Sequence, residues 1–297
     1  MAARTVVLTA VTMAAFASNS LLCRAALDGG LSDAASFTTL RLVSGAAVLG
    51  LLARGRSPSV ATSGGGWVAA AALYAYAIGF SLAYLWIPAG TGALLLFGAV
   101  QVTMLAAGLW AGERPRPREW IGLLVSLVGL VALTRPGLAQ PDPYGTALML
   151  GAGVAWGVYS LKGRGAPGAL AANATNFART VPLALLGSLG ALALVPPHVS
   201  PPGALLALAS GALASGLGYA LWYAALRGLT ATQAAIVQLS VPPLAAGGGV
   251  FLLGEDLTTR LVLAGTAILG GIALAVSGPR RASRRSPGPS EAGESAP

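Results

Sequence analysis

The chain is dominated by long apolar runs, which are separated by short stretches rich in Gly, Pro and charged residues. A transmembrane helix uses about 20 apolar residues to cross a hydrocarbon core about 30 Å thick. Reading each run between its flanking helix breakers therefore predicts an all-α membrane protein with ten transmembrane helices. The predicted spans are residues 5–27, 33–53, 67–86, 88–110, 119–134, 145–162, 170–194, 203–226, 230–253 and 258–277.

Pro88 interrupts the apolar sequence between residues 67 and 110. A single helix over this range would be about 66 Å long, which is about twice the thickness of the hydrocarbon core. The chain must therefore turn near Pro88, and we expect Gly90 and Gly92 to take part in that turn.

Composition supports the membrane assignment, and the distribution of charge indicates how the chain is oriented in the membrane. Hydrophobic residues make up 55% of the chain and charged residues 9%, against roughly a quarter charged in an average soluble domain. A net charge of +9 would suggest a nucleic-acid partner in a soluble protein. Here 13 of the 18 Lys and Arg residues fall on one side of the predicted membrane. The positive-inside rule then places both termini in the cytoplasm and requires no nucleic acid.

The second half of the chain repeats the first at an offset near 140 residues. The matching pairs are Gly112-Glu113 with Gly254-Glu255, residues 16–24 with 156–164, and Arg41 with Arg179, at offsets of 142, 140 and 138. Five spans per repeat is an odd number, so the second copy enters the membrane inverted, as in many secondary transporters. We predict one five-helix repeat over residues 1–141, a second over 142–278, and a disordered basic cytoplasmic tail over 279–297.

Several motifs resemble the EamA-type domains of the drug/metabolite transporter superfamily. They are Gly90-Thr91-Gly92-Ala93-Leu94-Leu95-Leu96, Gly112-Glu113-Arg114-Pro115 and Trp120-Ile121-Gly122 in the first half, and residues 224–227, Pro242-Pro243 and Gly254-Glu255 in the second. The resemblance implies ten helices in two inverted halves around a cavity lined mainly by spans 1, 3, 4, 6, 8 and 9. Val100-Gln101 stands where the family usually has a proline in span 4, so strict symmetry of the halves is in doubt.

Arginines inside two predicted spans are the first candidates for function, because a charge within the membrane is costly. Arg41 lies about 12 Å deep in span 2, and Arg179 occupies a similar position in span 7. Two interpretations stay open: either residue attracts an anionic group such as a carboxylate, or each is held by neighbouring helices and fixes the bundle. By contrast, we interpret Glu113 and Glu255 as structural, since each follows a helix-ending Gly and lies near the next helix N-terminus.

Polar and aromatic side chains on the spans expected to face the cavity are the candidates for substrate binding. The candidate residues are Ser18, Asn19, Tyr76, Phe80, Gln101, Trp156, Tyr159, Tyr219, Trp222 and Gln238, with Thr103 and Gln233 nearby. Amides can offer a solute both donors and acceptors, and an aromatic wall suits an amphipathic or cationic solute. The alternatives are interhelical hydrogen bonding for the polar residues and ordinary helix packing for the aromatic ones.

The sequence argues against an enzyme and against a cofactor. The single histidine, His198, lies in a Pro-rich loop, no Asp lies deep in a span, and Cys23 is the single cysteine. The sequence therefore lacks the residues that an intramembrane protease or a zinc site needs, and it contains no nucleotide-binding motif.

We expect an inner-membrane secondary transporter that exports amino acids or similar polar metabolites by alternating access. Its partners would be this small-molecule substrate and membrane lipids. Span 1 contains no acidic residue, so we expect a facilitator, an exchanger or a carrier coupled by another group. A non-transporting membrane scaffold or lipid scramblase is the alternative.

Overall fold

The computed structural model describes residues 3–54, 66–110, 117–134, 141–163, 168–226, 237–238 and 240–276, and nearly all of them are helical. The helices are α1 (Ala3–Asp28), α2 (Ala34–Ala53), α3 (Trp67–Ala83), α4 (Ala89–Trp110), α5 (Pro117–Thr134), α6 (Pro143–Gly163), α7 (Ala169–Ala191), α8, α9 (Val241–Leu253) and α10 (Thr259–Val276). Helix α8 runs without interruption through Pro201–Ala209, a π-helical segment Ser210–Leu217, and Gly218–Leu226. These ranges contain no strand, although Ser32 and Val199 form an isolated antiparallel bridge.

The helix bounds agree closely with most of the predicted spans. Three helical ranges within the described residues are long and apolar enough to cross a membrane, namely Ala3–Asp28, Ala34–Ala53 and Pro201–Ala225. Helix α3 ends at Ala83, three residues before the predicted end of its span. Four of the predictions lie outside the residues that the structure describes: the beginning of the ninth span at 230–236, the tail over 279–297, Gln233 and Glu113.

Local sequence signals explain where several helices begin and end. Prolines occupy the first position of α5, α6 and α8, where a missing N–H group costs no helical hydrogen bond. Ser200 caps α8 by accepting a hydrogen bond from Gly203 N at 3.2 Å. Gly254 ends α9 in the left-handed conformation with φ 68°, which favours glycine.

The break at Pro88 is present, but the glycines after it do not form the turn. The chain leaves α3 at Ala83 and begins α4 at Ala89, so Gly90 and Gly92 already lie within α4. A Cβ on Gly90 would lie 2.7 Å from Ala246 Cβ, and one on Gly92 would lie 2.4 Å from the Tyr84 ring. These glycines therefore permit close packing, and the prediction that they supply the turn was wrong.

Helices from the two halves of the chain pack against each other throughout the bundle. Helix α2 packs on α7, α5 on α10, and α4 on α9. Helix α6 packs on α3 and α4, while α1 packs on α8 and α9. The middle parts of α1, α3, α4, α6 and α8 share one interior, where the candidate site lies.

Asp33 joins two interhelical loops at one end of the bundle. Its Oδ1 accepts from Ser36 N at 2.9 Å and caps α2, while its Oδ2 accepts from His198 N at 2.8 Å. Asp33 N also donates to His198 O at 2.8 Å. Partial burial favours the neutral acid, but hydrogen bonds from Ser36, His198 and Ala35 outweigh it and lower the pKa of Asp33 below its ordinary value of 3.8.

The lowered pKa predicts a pH-dependent contribution of Asp33 to stability. A carboxyl whose folded pKa is depressed stabilises the fold above its ordinary pKa and loses this contribution as the pH falls through the lowered value. We expect Asp33→Asn to unfold at a lower temperature than the wild type near pH 7. The gap should shrink as the pH falls below about 4. Thermal unfolding of both proteins in detergent between pH 3 and 7 measures this difference in unfolding temperature. A difference that does not change with pH would contradict the lowered pKa of Asp33.

Candidate functional site

A small cavity lies between the helices of the two halves, and it combines aromatic rings with a few polar groups. Its lining residues are Phe16, Asn19 and Ser20 of α1, Tyr76 and Phe80 of α3, Leu96 and Phe97 of α4, Trp156 of α6, Tyr219 of α8, and Gln238 just before α9. None of these lining residues carries a charge, and the cavity wall presents apolar surface and hydrogen-bonding groups side by side.

Aromatic side chains from four helices form one side of the cavity. The Trp156 ring lies 4.8 Å from Tyr76 and 5.3 Å from Tyr219, measured between ring centroids. Tyr219 in turn meets Phe16 edge-on at 5.6 Å. Such tilted and edge-on pairs are the geometries that aromatic quadrupoles favour. The rings therefore hold α1, α3, α6 and α8 together around the cavity.

A chain of hydrogen bonds runs from the cavity into the protein interior. Ser210 of the π-helical segment donates to Asn19 Oδ1, and Asn19 Nδ2 donates to the Tyr76 hydroxyl at 3.5 Å. Arg41 Nη2 donates to the same hydroxyl at 3.0 Å, and Arg41 Nε donates to Ser215 Oγ at 3.3 Å. Since π-helical turns are frequent at functional sites, the position of both serines in this segment is consistent with a role beyond packing.

Arg41 is buried behind the cavity wall and does not line the cavity itself. Its side chain is 2% exposed, and its guanidinium carbon lies 4.9 Å from the Phe80 ring centroid and 5.3 Å from that of Tyr76. Within the described ranges no carboxylate forms an ion pair with it. Its Nη1 is buried and has no hydrogen-bond partner among the described residues. Hydroxyls and aromatic rings of the neighbouring helices α3 and α8 hold this cation.

Arg179 occupies a different environment from Arg41. It lies half-buried on α7 and is not among the residues that line the cavity. Its Nη1 is buried and also finds no hydrogen-bond partner in the described part of the chain. The matching sequence positions of the two arginines therefore do not give them matching surroundings.

The structure brings six of the ten candidate binding residues to the cavity. These six are Asn19, Tyr76, Phe80, Trp156, Tyr219 and Gln238. Tyr159 and Trp222 lie one layer behind, because their rings pack on Trp156 at 5.6 Å and on Phe16 at 6.0 Å.

The other two candidates do not reach the cavity. Ser18 donates to Ala14 O at 2.8 Å within its own helix. Gln101 is half-buried on α4 and is not a lining residue. Thr103, its neighbour, donates to Ala99 O at 2.8 Å within α4.

Sequence reasoning missed Phe16, Ser20, Leu96 and Phe97, which also line the cavity. A usable signal existed on α1, because Phe16, Asn19 and Ser20 are three and four residues apart and therefore share one helix face. Ser18 is one residue from Asn19 and donates within its own helix instead, so adjacency in the sequence does not place the two side chains together.

Glu255 contacts a helix N-terminus, but of a different helix from the one we expected. Both of its carboxylate oxygens accept from Ala89 N at 2.8 and 2.9 Å, at the N-terminus of α4 rather than of the following helix α10. Arg24 Nε lies 3.4 Å from Glu255 Oε1, while Arg24 Nη1 donates to Tyr84 O at 2.8 Å. The carboxylate therefore ties the ends of α1, α3 and α9 to the positive end of the α4 dipole.

We expect Glu255→Gln to lower stability by about 1 kcal/mol, because the amide keeps the shape but loses its negative charge at the helix N-terminus and beside Arg24. Thermal unfolding in detergent measures the change. Asp256→Asn is the matched control, since Asp256 is exposed and adjacent. Equal unfolding temperatures for the two variants would show that the Glu255 contact contributes nothing.

Comparison with known proteins identifies the family. The sequence profile of the EamA-like transporter family matches residues 143–277, from the beginning of α6 to just beyond α10. An uncharacterized protein of Pseudomonas aeruginosa is 54% identical over 91% of this chain and 94% of its own length. The threonine/homoserine exporter RhtA of Escherichia coli is 31% identical over 173 residues, which are 56% of this chain and 56% of the exporter.

The chain belongs to the EamA-like transporter family. It is therefore a multi-pass membrane transporter of the drug/metabolite transporter superfamily, whose EamA members are transporters and not enzymes. The fold of this EamA-like chain is also similar to a solved crystal structure, with a TM-score of 0.62 and 22% identity over 91% of this chain and 98% of the other.

Proposed function

We propose that this EamA-like chain is a secondary transporter that exports amino acids or similar polar metabolites across the inner membrane by alternating access. The observation that carries the proposal is the cavity between helices of both halves, where the polar Asn19 and Tyr76 meet the aromatic Trp156 and Tyr219. Polar residues inside an apolar membrane bundle are rare, and those that face a cavity often mark a substrate pathway. The resemblance of part of the chain to a protein named as a threonine/homoserine exporter supports this substrate class.

Helix packing supports the proposed inverted repeat of five plus five helices, with halves at 1–141 and 142–278. Helices at equivalent positions pack on each other, as α2 does on α7, α4 on α9 and α5 on α10. Other contacts occur in related pairs: α3 packs on α6 and α7, as α8 packs on α1 and α2. A two-fold relation between inverted halves requires that each contact between two helices recurs between the equivalent helices of the other half. The segment 279–297 would extend from the second half as a basic tail.

The proposed orientation has both termini in the cytoplasm. The segments that follow α1, α3, α7 and α9 meet at one end of the bundle through Asp33, Arg24 and Glu255. Adjacent helices that cross in alternate directions would bring these four segments to the same side. We expect a green fluorescent protein fused to the C-terminus to fluoresce, and an alkaline phosphatase fused there to be inactive. The reverse pair of results in bacterial cells would invert the orientation.

The proposed mode of transport is facilitation, exchange or coupling through a group outside span 1. No residue that lines the cavity in the described structure is acidic, so no carboxylate there can exchange protons with the solute site. Alternating access would then follow from movement of one half against the other around the cavity.

Efflux from intact cells tests the proposal. Cells that lack their own threonine and homoserine exporters are loaded with labelled threonine or homoserine and then diluted into label-free medium. Cells that express this chain should lose label several times faster than cells that carry the empty vector. A scaffold or lipid scramblase would leave the two rates equal, and comparable amounts of membrane-inserted protein must be confirmed by immunoblotting.

A further inference from the structure

We propose that the Asn19 and Tyr76 side of the cavity binds the carboxylate of the transported metabolite, and that the buried charge of Arg41 acts on this carboxylate through the Tyr76 hydroxyl. Arg41 is then a positioning residue, because it contacts Tyr76 and does not line the cavity. The substrate class is a small monocarboxylate, of which a neutral amino acid is one example. This inference rests on the proposed transport function and narrows its substrate.

The hydrogen-bond pattern leaves the Tyr76 hydroxyl as a donor. A tyrosine hydroxyl has one hydrogen to donate and oxygen lone pairs that accept. Here the oxygen accepts from Arg41 Nη2 at 3.0 Å and from Asn19 Nδ2 at 3.5 Å. Ser210 donates to Asn19 Oδ1, and in this arrangement the other amide atom, Nδ2, faces Tyr76. The Tyr76 hydrogen is therefore left for an acceptor, and Tyr76 lines the cavity.

Charge indicates that this acceptor is an anion. Arg41 is fully buried, and in the described structure no carboxylate neutralises it and Nη1 has no partner. A buried cation without a counter-ion is costly in a protein interior, so an anion that arrives nearby is strongly favoured. Donation from Arg41 also polarises the Tyr76 O–H group, which strengthens its hydrogen bond to an anion. A carboxylate is the smallest common metabolite group with this chemistry.

The rest of the cavity lining has the chemistry to contact the other part of such a molecule. Phe16, Phe80, Trp156 and Tyr219 supply apolar contact, and no lining residue in the described part of the chain is basic or acidic. The ammonium group of an amino acid could lie against these aromatic faces. A second carboxylate would find no cation among the lining residues, so monocarboxylates are favoured over dicarboxylates.

Binding of matched ligands to the purified full-length protein tests the inference. L-threonine and L-threoninamide have nearly the same size and hydrogen-bonding side chain, but the amide lacks the carboxylate charge. Titration calorimetry in lipid nanodiscs should show at least tenfold tighter binding of threonine to the wild type. Arg41→Gln and Tyr76→Phe should reduce the threonine-to-threoninamide affinity ratio to near one, whereas Arg41→Lys should retain part of it. Tyr74→Phe, on the same helix but outside the cavity, is the matched control and should keep the wild-type ratio.

The ratio separates a positioning role from a merely structural one. A structural loss would weaken both ligands equally and leave the ratio unchanged, which would overturn the inference. Tyr76→Phe removes a single hydroxyl and keeps the ring, so it provides the test if Arg41→Gln does not fold. Wild-type binding of both ligands with equal affinity would overturn the carboxylate assignment and leave the transport proposal standing. Binding of neither ligand by folded protein would contradict both proposals.

Discussion

Gly211→Ala should destabilise the protein by about 3 kcal/mol, at the upper end of the range typical of overpacked cores. Gly211 lies in the π-helical segment of α8, where the segment packs directly on α2. A Cβ at this position would lie 2.1 Å from Arg41 O and 2.0 Å from Ser44 Oγ. The serine side chain can rotate away, but the carbonyl belongs to the α2 backbone. The two helices would have to separate, and Ser215 would then move away from Arg41.

The matched control is Gly50→Ala. Gly50 is an exposed residue of α2, and a Cβ there would meet nothing within 4 Å. Alanine is a better helix former than glycine by up to about 1 kcal/mol, so this variant should be neutral or slightly stabilised. Fluorescence-detected size-exclusion chromatography after heating compares the two variants with the wild type. Equal unfolding temperatures for Gly211→Ala and the wild type would show that α2 and the π-helical segment are not packed this closely.

Trp156→Ala should lower the apparent affinity for the transported solute by tenfold or more, because a tenfold change corresponds to about 1.4 kcal/mol and the indole supplies more contact than that. Its ring meets Tyr76, Tyr159 and Tyr219 and forms part of the cavity wall. Trp156→Phe keeps an aromatic face and should show an intermediate loss. The test is to measure the KM for threonine efflux from proteoliposomes for both variants and the wild type. The unfolding temperatures of the variants are compared first.

Trp110→Ala is the control for the loss of a tryptophan. Trp110 lies at the end of α4 and is 92% exposed, as expected for a residue that meets lipid or the membrane interface. We expect the KM of the Trp110→Ala variant to equal that of the wild type. An unchanged KM in Trp156→Ala, or an equal increase in both variants, would remove the aromatic wall from the solute site.

Sequence reasoning located the helices well because their apolar runs are long and the breakers between them are explicit. Pro117, Pro143 and Pro201 stand at helix starts, and Gly254 stands at a helix end. The interior position of Arg41 could also be anticipated, since a lone cation in an apolar run has to avoid lipid. Its partners lie on two other helices, α3 and α8, and the sequence carries no local signal for them.

The inward face of each helix was harder to predict than its ends. A helix in lipid can be apolar on every side, so periodicity does not mark the face that meets the cavity. This explains why Ser18 and Gln101 were grouped with Asn19, although the structure places Asn19 alone among them at the cavity. The close packing of Gly90 against Ala246 was missed for a related reason. Glycine is common in turns, so the sequence suggested a turn at Gly90, and the contact with Ala246 is visible only once the helices are assembled.

The central claim is that the cavity lined by Asn19, Tyr76 and Trp156 is the site through which a solute crosses the membrane. Counterflow in proteoliposomes tests it most directly. Vesicles that contain the wild type and unlabelled threonine should transiently accumulate external labelled threonine above the level of empty vesicles. Ser20→Phe, which fills the cavity from α1, should abolish this overshoot in folded protein. No overshoot in the wild type, or an equal overshoot in the filled variant, would contradict the account.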